Sequence, residues 1–476
     1  MKGVLQWVKG HYKPLASALL FATLALFLLL GADAPDEIEI AAVYDEQDHT
    51  LQVEQTIRYV NRSELELDSV YLYLHANAFA TRERAPVLAS ELLQAYPEGF
   101  SEGYASVEKV FVNGETAAWA LDGPQQNLLL VALDAPLGKG ERVELELSYT
   151  LQLPKNRLRF GYSEKDVRLL NAFAIPAYHD GSAWQLHEYS AIGDPFVSTV
   201  ADYTVTLQAP GSFVAAGPGL QGEGEDGVWR FKARDLREFA LVLCRDYCVA
   251  QAEGAGLTVR AFAYDQEDAQ ALASLGAQAV EVFSELFGAL SQDELLLCAG
   301  DFALGGMEYP GLVLLDRQLL QDDDGMLEFV VAHEAAHQWW YAAVGSDQVN
   351  HPWQDEALTE YSTLLYYEAV YGRESMESLY RSMIQPVLEG GALEGVNMDS
   401  PLSAFETNAF YDALIYRKGA AMWHDIRVLL GNDGFLDALR KYHRQYAGKL
   451  APPEALLQLL GKEGSQRALE WIAGQR

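Results

Sequence analysis

The sequence predicts an α+β multidomain fold: an N-terminal antiparallel β domain, sandwich-like or saddle-shaped, followed by a mainly α domain. Three observations predict it. Apolar and polar residues alternate at period two in segments spread over residues 37–249, the signature of half-buried strands. Beyond residue 250 the apolar spacing changes to the helical one, after a small β element. One of those helical stretches carries His333-Glu334-Ala335-Ala336-His337, which places two imidazoles on one helix face.

Residues 1–34 come first, as a leader. Lys2, Lys9 and Lys13 precede an uncharged run over residues 14–32, and the first acid is Asp33. A run of that length can cross a bilayer, and positive charge before it places the N-terminus in the cytoplasm. Ala32-Asp33-Ala34 also offers a small-x-small cleavage site. A membrane anchor and a cleaved signal peptide both fit, and both put residues 35–476 outside the cytoplasm.

The β domain is expected over residues 35–250. Residues 51–60, 70–74, 143–149, 203–207 and 239–243 alternate cleanly, with Gly and Pro turns between them; a short helix is expected near 89–95. Two packed sheets bury such one-sided strands. Cys244 and Cys248 are close enough in sequence to pair, although buried thiols fit equally, and Cys298 falls in an apolar strand. Three cysteines make no disulfide framework.

Residues 251–476 form the second domain. A strand over 257–263 is followed by a helix from Asp265 to about 290, then a strand over 294–299. The helix with the two histidines comes next, and Asp322-Asp323-Asp324-Gly325 before it reads as its N-cap. A second helix starts near Asp355 and runs to about 371. Further helices are expected near 375–388, 412–430 and 435–446, and in the tail at 453–460 and 465–473.

Chemistry converges on the pentapeptide. Eighteen residues separate His337 from Glu356, which sits in the first turn of the next helix and can return to the same ion. Two imidazoles and one carboxylate leave a zinc position open for water, as catalytic rather than structural sites do. Glu334, one residue along the helix, can handle the proton of that water. Gly305-Gly306-Met307-Glu308-Tyr309-Pro310-Gly311 suits a strand edge that approaches a ligand closely; by itself it also reads as a turn with a solvated glutamate.

Composition narrows the partners. With 68 acids against 34 bases the net charge is −34, which argues against nucleic acid, whose phosphates need a basic footprint. Solubility accounts for the acidity more readily than steering of cationic peptides does.

Taken together, H-E-x-x-H, Glu356 after eighteen residues and the Gly305-Gly306-Met307-Glu308 segment ahead of them resemble the M1 family of zinc aminopeptidases, within the gluzincins. The resemblance implies a thermolysin-like catalytic domain behind the β domain and one Zn²⁺ held by His333, His337 and Glu356. It implies that Glu334 is the general base and that Glu308 binds the free α-amino group of a peptide substrate. The family also uses a tyrosine in Y-x-K-G to stabilise the oxyanion. Tyr416-Arg417-Lys418-Gly419 matches, with Tyr411 as a competitor.

Three departures from the family stand out. Tyr309 replaces the usual Asn after the amine-binding glutamate, and Gly193-Asp194-Pro195-Phe196 replaces an Asp-Glu-Pro segment. A family glutamine near that segment has no secure counterpart, Gln185 being a guess. The chain also ends about 120 residues after Glu356, so a short form without the C-terminal helical domain, and a more open cleft, are expected. The function implied is removal of N-terminal residues from peptides by an exported enzyme, soluble or membrane-anchored through its leader. Two rivals remain: a zinc endopeptidase whose Glu308 reads no amine, and a binding protein on a silent peptidase fold.

Overall fold

The computed structural model describes residues 35–222, 226–321, 325–390 and 395–476. The expected leader and Asp322–Asp324 therefore lie outside the described residues. In the first half the alternating segments become a seven-stranded sheet. Its spatial order is Val228–Leu236, Ala201–Gln208, Asp36–Asp45, Thr50–Val60, Arg142–Gln152, Tyr104–Val112 and Glu115–Thr116. Asp36–Asp45 shows why the pattern works: every second residue, from Ile38 through Tyr44, is buried on one face. Two four-stranded sheets pack with it, one centred on Leu67–Tyr73 and Leu128–Leu137, the other on Asp166–Leu169 and Leu241–Cys244. The Leu92–Ala95 turn is the short helix expected there.

One pairing departs from the antiparallel expectation. Asp36–Asp45 and Ala201–Gln208 run parallel, because the chain returns to its first strand only after building most of the domain. A parallel neighbour needs such a long connection.

In the second half, Cys248–Gly254 and Leu257–Ala263 open a five-stranded sheet that continues through Glu294–Gly300 and Leu312–Asp316 to the edge strand Gly306–Tyr309. Helix α1 (Gln266–Phe287) covers one face; Asp265 caps it by accepting from the Asp268 amide at 2.9 Å. Helices α2 (Met326–His337), α3 (Glu356–Tyr371) and α4 (Gly419–Tyr446) pack around α1 and each other. Instead of an aspartate cap, α2 begins after Gly325 in a left-handed conformation with no side-chain cap. The helix expected from 412 is preceded by a wide π-helical turn, Asp412–Lys418, and Gly431 at φ 74° interrupts α4.

A smaller apolar cluster, from Leu170 and Val242 to Phe262, Cys298 and Leu312, joins the two halves. All three cysteines are free thiols, so Cys244 and Cys248 do not pair. Arg237 crosses the same seam. Its buried guanidinium donates to the carbonyls of Ser198, Tyr341, Ala343 and Lys449 at 2.7–3.3 Å. It thus fastens the β domain to the chain that leaves α2, and a Cβ at Gly345 would collide with it.

Candidate active site

Helix α2 enters the core and is buried from Val331 onward, so its helical spacing turns His333 and His337 inward together. Glu356 is the first residue of α3 and meets them. The Nε2 atoms of the two histidines are 3.2 Å apart, and Glu356 Oε2 is 3.3 Å from each. Ligand atoms around a tetrahedral ion with bonds of about 2.0 Å stand about 3.3 Å apart. This triangle therefore has the spacing of zinc ligands.

The other ring nitrogens explain how the lone pairs come to face inward. His337 Nδ1 lies 2.8 Å from Asp355 Oδ1, and the Gln348 amide donates to the other oxygen of that carboxylate. His333 Nδ1 lies 3.3 Å from Glu360 Oε2. The carboxylate that meets His337 Nδ1 fixes the tautomer that leaves its Nε2 free for metal, while Glu360 stands at ion-pair distance from His333. Asp355 stands against His337 and Glu360 against His333, one carboxylate for each histidine.

Charge follows the same logic. Burial would raise the Glu356 carboxyl, but the charges and hydrogen bonds of His337 and His333 outweigh it and hold the group well below the usual range. Burial pushes Glu334 up to about 7, against the pull of the two histidines. One of its oxygens, Oε2, has no hydrogen-bond partner, the condition of a group free to take a proton. Gly306 lies against it: a Cβ there would collide with Glu334 Oε1 and stand 2.6 Å from Val330 Cγ1. The glycine two residues before Glu308 thus makes room for Glu334.

Glu308 projects from the edge strand into the same space. Oxygens of Glu308, Glu356 and Asp194 lie within 4.8 Å of one another, and Glu308 makes a similar cluster with Glu334 and His337. Burial and then the Asp194 charge push its carboxyl well above the ordinary range; a cation beside it would relieve both. Tyr309, next along the strand, faces the other way. Its hydroxyl donates to Asn171 Oδ1 at 2.8 Å, and Asn171 in turn donates to Glu238, which also accepts from Tyr341. The residue that departs from the family pattern belongs to the seam between the halves rather than to the cleft.

Tyr416 stacks on His333, with ring centroids 5.7 Å apart and planes at 19°. Burial first, then Glu356, holds its phenol far above its ordinary range, so it remains a hydrogen-bond donor at working pH. Tyr411 sits one ring farther out, edge-on to Tyr416 at 5.7 Å, with its hydroxyl against Gly193. Gly419 closes the motif for a packing reason: a Cβ there would strike Ala357, the residue after Glu356.

Sequence reasoning missed Asp194, Arg159 and Arg417. Asp194 and Arg159 form a buried ion pair at the cleft, and Arg159 lies over the Phe196 ring at 5.1 Å. Asp194 sat in a segment already noticed as unusual; Arg159 carried no local signal. Gln185 plays no part, since it bonds Asp180 in an exposed hairpin. The cleft encloses about 450 Å³, and its wall holds the carboxylates of Asp194, Glu308, Glu334, Glu356, Glu360 and Asp412 against only two cations, Arg159 and Arg417. Six acids against two fixed cations suit a cationic ligand, whose charge would favour their ionised forms.

Comparison with known proteins agrees with this arrangement. Residues 278–475 match the Peptidase family M1 domain. Aminopeptidase M1 of Arabidopsis thaliana is 28% identical over 198 residues, covering 38% of this chain and 22% of that protein. Mouse aminopeptidase Q is 29% identical over 155 residues, 30% of this chain and 28% of its own length. The match thus spans less than a third of the length of these curated relatives. An M1 zinc metallopeptidase of Deinococcus radiodurans shares the fold with a TM-score of 0.67 at 18% identity, over 93% of this chain and 94% of that one. A mutant of that metallopeptidase bound to a Tyr-Ser-Ala substrate aligns with a TM-score of 0.68 at the same identity and coverage.

Proposed function

We infer that this chain, whose residues 278–475 match the Peptidase family M1 domain, is a zinc aminopeptidase that removes N-terminal residues from peptides. The observation that carries the reading is the inward triangle of His333, His337 and Glu356 at 3.2–3.3 Å, with the buried carboxylates of Glu334 and Glu308 beside it. One Zn²⁺ suits the triangle, and when bound it supplies a Lewis acid that polarises the scissile carbonyl and acidifies a water. Glu334 takes that water's proton as it attacks and hands it to the leaving amine. The Tyr416 hydroxyl donates to the carbonyl oxygen as it becomes negative, an interaction worth about 3 kcal/mol in comparable sites. Glu308, with Asp194 beside it, pairs with the substrate's ammonium and so presents the first peptide bond. That is positioning rather than chemistry.

Purified protein should hydrolyse an amino-acyl chromogenic amide, lose the activity to a chelator and regain it with one equivalent of zinc. Stoichiometric zinc without turnover of any free-amine substrate would overturn the reading.

The enzyme works outside the cytoplasm, anchored by residues 14–32 or released by cleavage near Ala34. The lysines ahead of that apolar run support this. Among the described residues no helix is long and apolar enough to cross a membrane, and residues 1–34 lie outside them. Fractionation of cells expressing the full chain, with N-terminal sequencing, tests it; activity confined to the cytoplasm would refute it.

A further inference from the structure

We propose that Arg417 is a positioning residue: its guanidinium, braced on Asp412, holds the Glu360 carboxylate against His333 and ties the turn carrying Tyr416 to the metal-binding helices. The proposal rests on the aminopeptidase reading above and adds a residue to it.

The two histidines are supported in different ways. Asp355 is the chain neighbour of Glu356, so the backbone that delivers the metal ligand also delivers the carboxylate for His337. Glu360 lies one turn along α3, on the same face as Glu356, at the end of a longer side chain with more rotamers to lose. Something must hold it. Its Oε1 is met by Arg417 Nη1, while its Oε2 faces His333 Nδ1. The Glu360 side chain is 2% exposed and that of Arg417 18%, so the pair is screened little by solvent.

Arg417 belongs to another element, the π-helical turn Asp412–Lys418. The i→i+5 spacing of such a turn brings Asp412 beside it. Arg417 Nη2 donates to Asp412 Oδ1 at 2.9 Å and Nε to Oδ2 at 3.2 Å. One edge of the planar fork thus clamps the turn, and the remaining amine reaches across to α3. Tyr416, the adjacent residue, is held with its ring stacked on His333. A single cation therefore sets both the orientation of a metal ligand and the distance of the oxyanion donor. A lysine ammonium, a point charge without the fork, cannot do both. With both edges engaged, the guanidinium serves as a strut rather than as a receptor for a substrate carboxylate.

The test compares Arg417→Lys, Arg417→Ala and Glu360→Gln, with zinc affinity read by competition against a chromogenic chelator and kcat and KM read at saturating zinc. Each Arg417 variant should bind zinc roughly 10–100-fold more weakly. Its kcat should fall about tenfold or more, with KM for an amino-acyl amide within about threefold. In the Glu360→Gln background, replacing Arg417 should weaken zinc far less, because the neutral amide leaves the guanidinium no charge to hold. Equal losses in both backgrounds, or wild-type zinc affinity and kcat in Arg417→Lys, would overturn the proposal. Should Arg417→Ala fail to fold, the lysine variant completes the cycle. A wild-type protein that binds no zinc at the triangle would remove the aminopeptidase reading; wild-type zinc binding with an unaffected Arg417→Lys would remove only the strut.

Discussion

Replacing Gly306 by alanine tests the placement of Glu334, the proposed general base, without altering Glu334 or the proposed metal ligands. The new methyl would stand 2.6 Å from Val330 Cγ1 and collide with Glu334 Oε1. Carbon atoms pack at about 3.5 Å, so the strand and α2 must separate by about 1 Å, or the carboxylate must swing away. The strand is pinned by its register with Leu312–Asp316, Gly306 opposite Leu315, and α2 is buried from Val331 onward. The softest element is the Glu334 side chain. Misplacement of a reacting group by about 1 Å costs about a hundredfold, and overpacking of this kind costs about 1–3 kcal/mol of stability. We expect kcat to fall about a hundredfold in Gly306→Ala while zinc content stays at the wild-type level. The assay is steady-state hydrolysis of an amino-acyl amide on zinc-loaded protein, with Gly434→Ala as control, where the nearest atom to a new methyl is an ordinary 3.6 Å away. A folded Gly306→Ala protein with kcat within about threefold of wild type would refute the placement of Glu334.

Other outcomes follow from the same geometry. Glu334→Gln should retain zinc and lose about 10²–10⁴ in kcat, whereas His337→Ala should lose the metal; full activity in the first or undiminished zinc in the second would contradict the assigned roles. Asp355→Ala should weaken zinc binding roughly 10–100-fold by chelator titration, and an unchanged affinity would show that His337 needs no support. Glu238 is raised by burial from 4.5 to about 7, so the folded state holds its proton more tightly than the unfolded chain. Its contribution is complete below about pH 4.5 and is lost as pH rises through about 7, amounting to about 3 kcal/mol at most. Wild-type stability should therefore fall relative to Glu238→Gln between pH 5 and 8, and parallel stability curves would contradict this.

What could be read from the sequence was what short-range chemistry dictates. The helix periodicity of 326–337 placed His333 and His337 on one face with Glu334 one residue along, and α3 begins at Glu356 as its spacing required. Period-two alternation marked the principal strands. The parallel pairing of Asp36–Asp45 with Ala201–Gln208 was not legible, because alternation states which face is buried and not which strand lies alongside. Glu308 acquired meaning only through the family pattern, and Asp194, Arg159 and Arg417 act through partners 35, 35 and 57 residues distant. Tyr309, a departure from the family pattern in the sequence, turned out to face the seam, since neighbouring residues on a strand point to opposite sides. The Asp412–Lys418 turn read as plain helix because a π-helical turn and an α-helix share the same residue preferences and differ only in the carbonyl that each amide reaches.

The most direct test compares hydrolysis of an amino-acyl chromogenic amide with that of its N-acetylated twin, in wild type and in Glu308→Ala. Wild type should cleave only the free amine, and Glu308→Ala should lose most of that preference, with KM for the free-amine substrate raised. Cleavage of both substrates by wild type at similar rates would show that Glu308 reads no ammonium and that the enzyme is an endopeptidase.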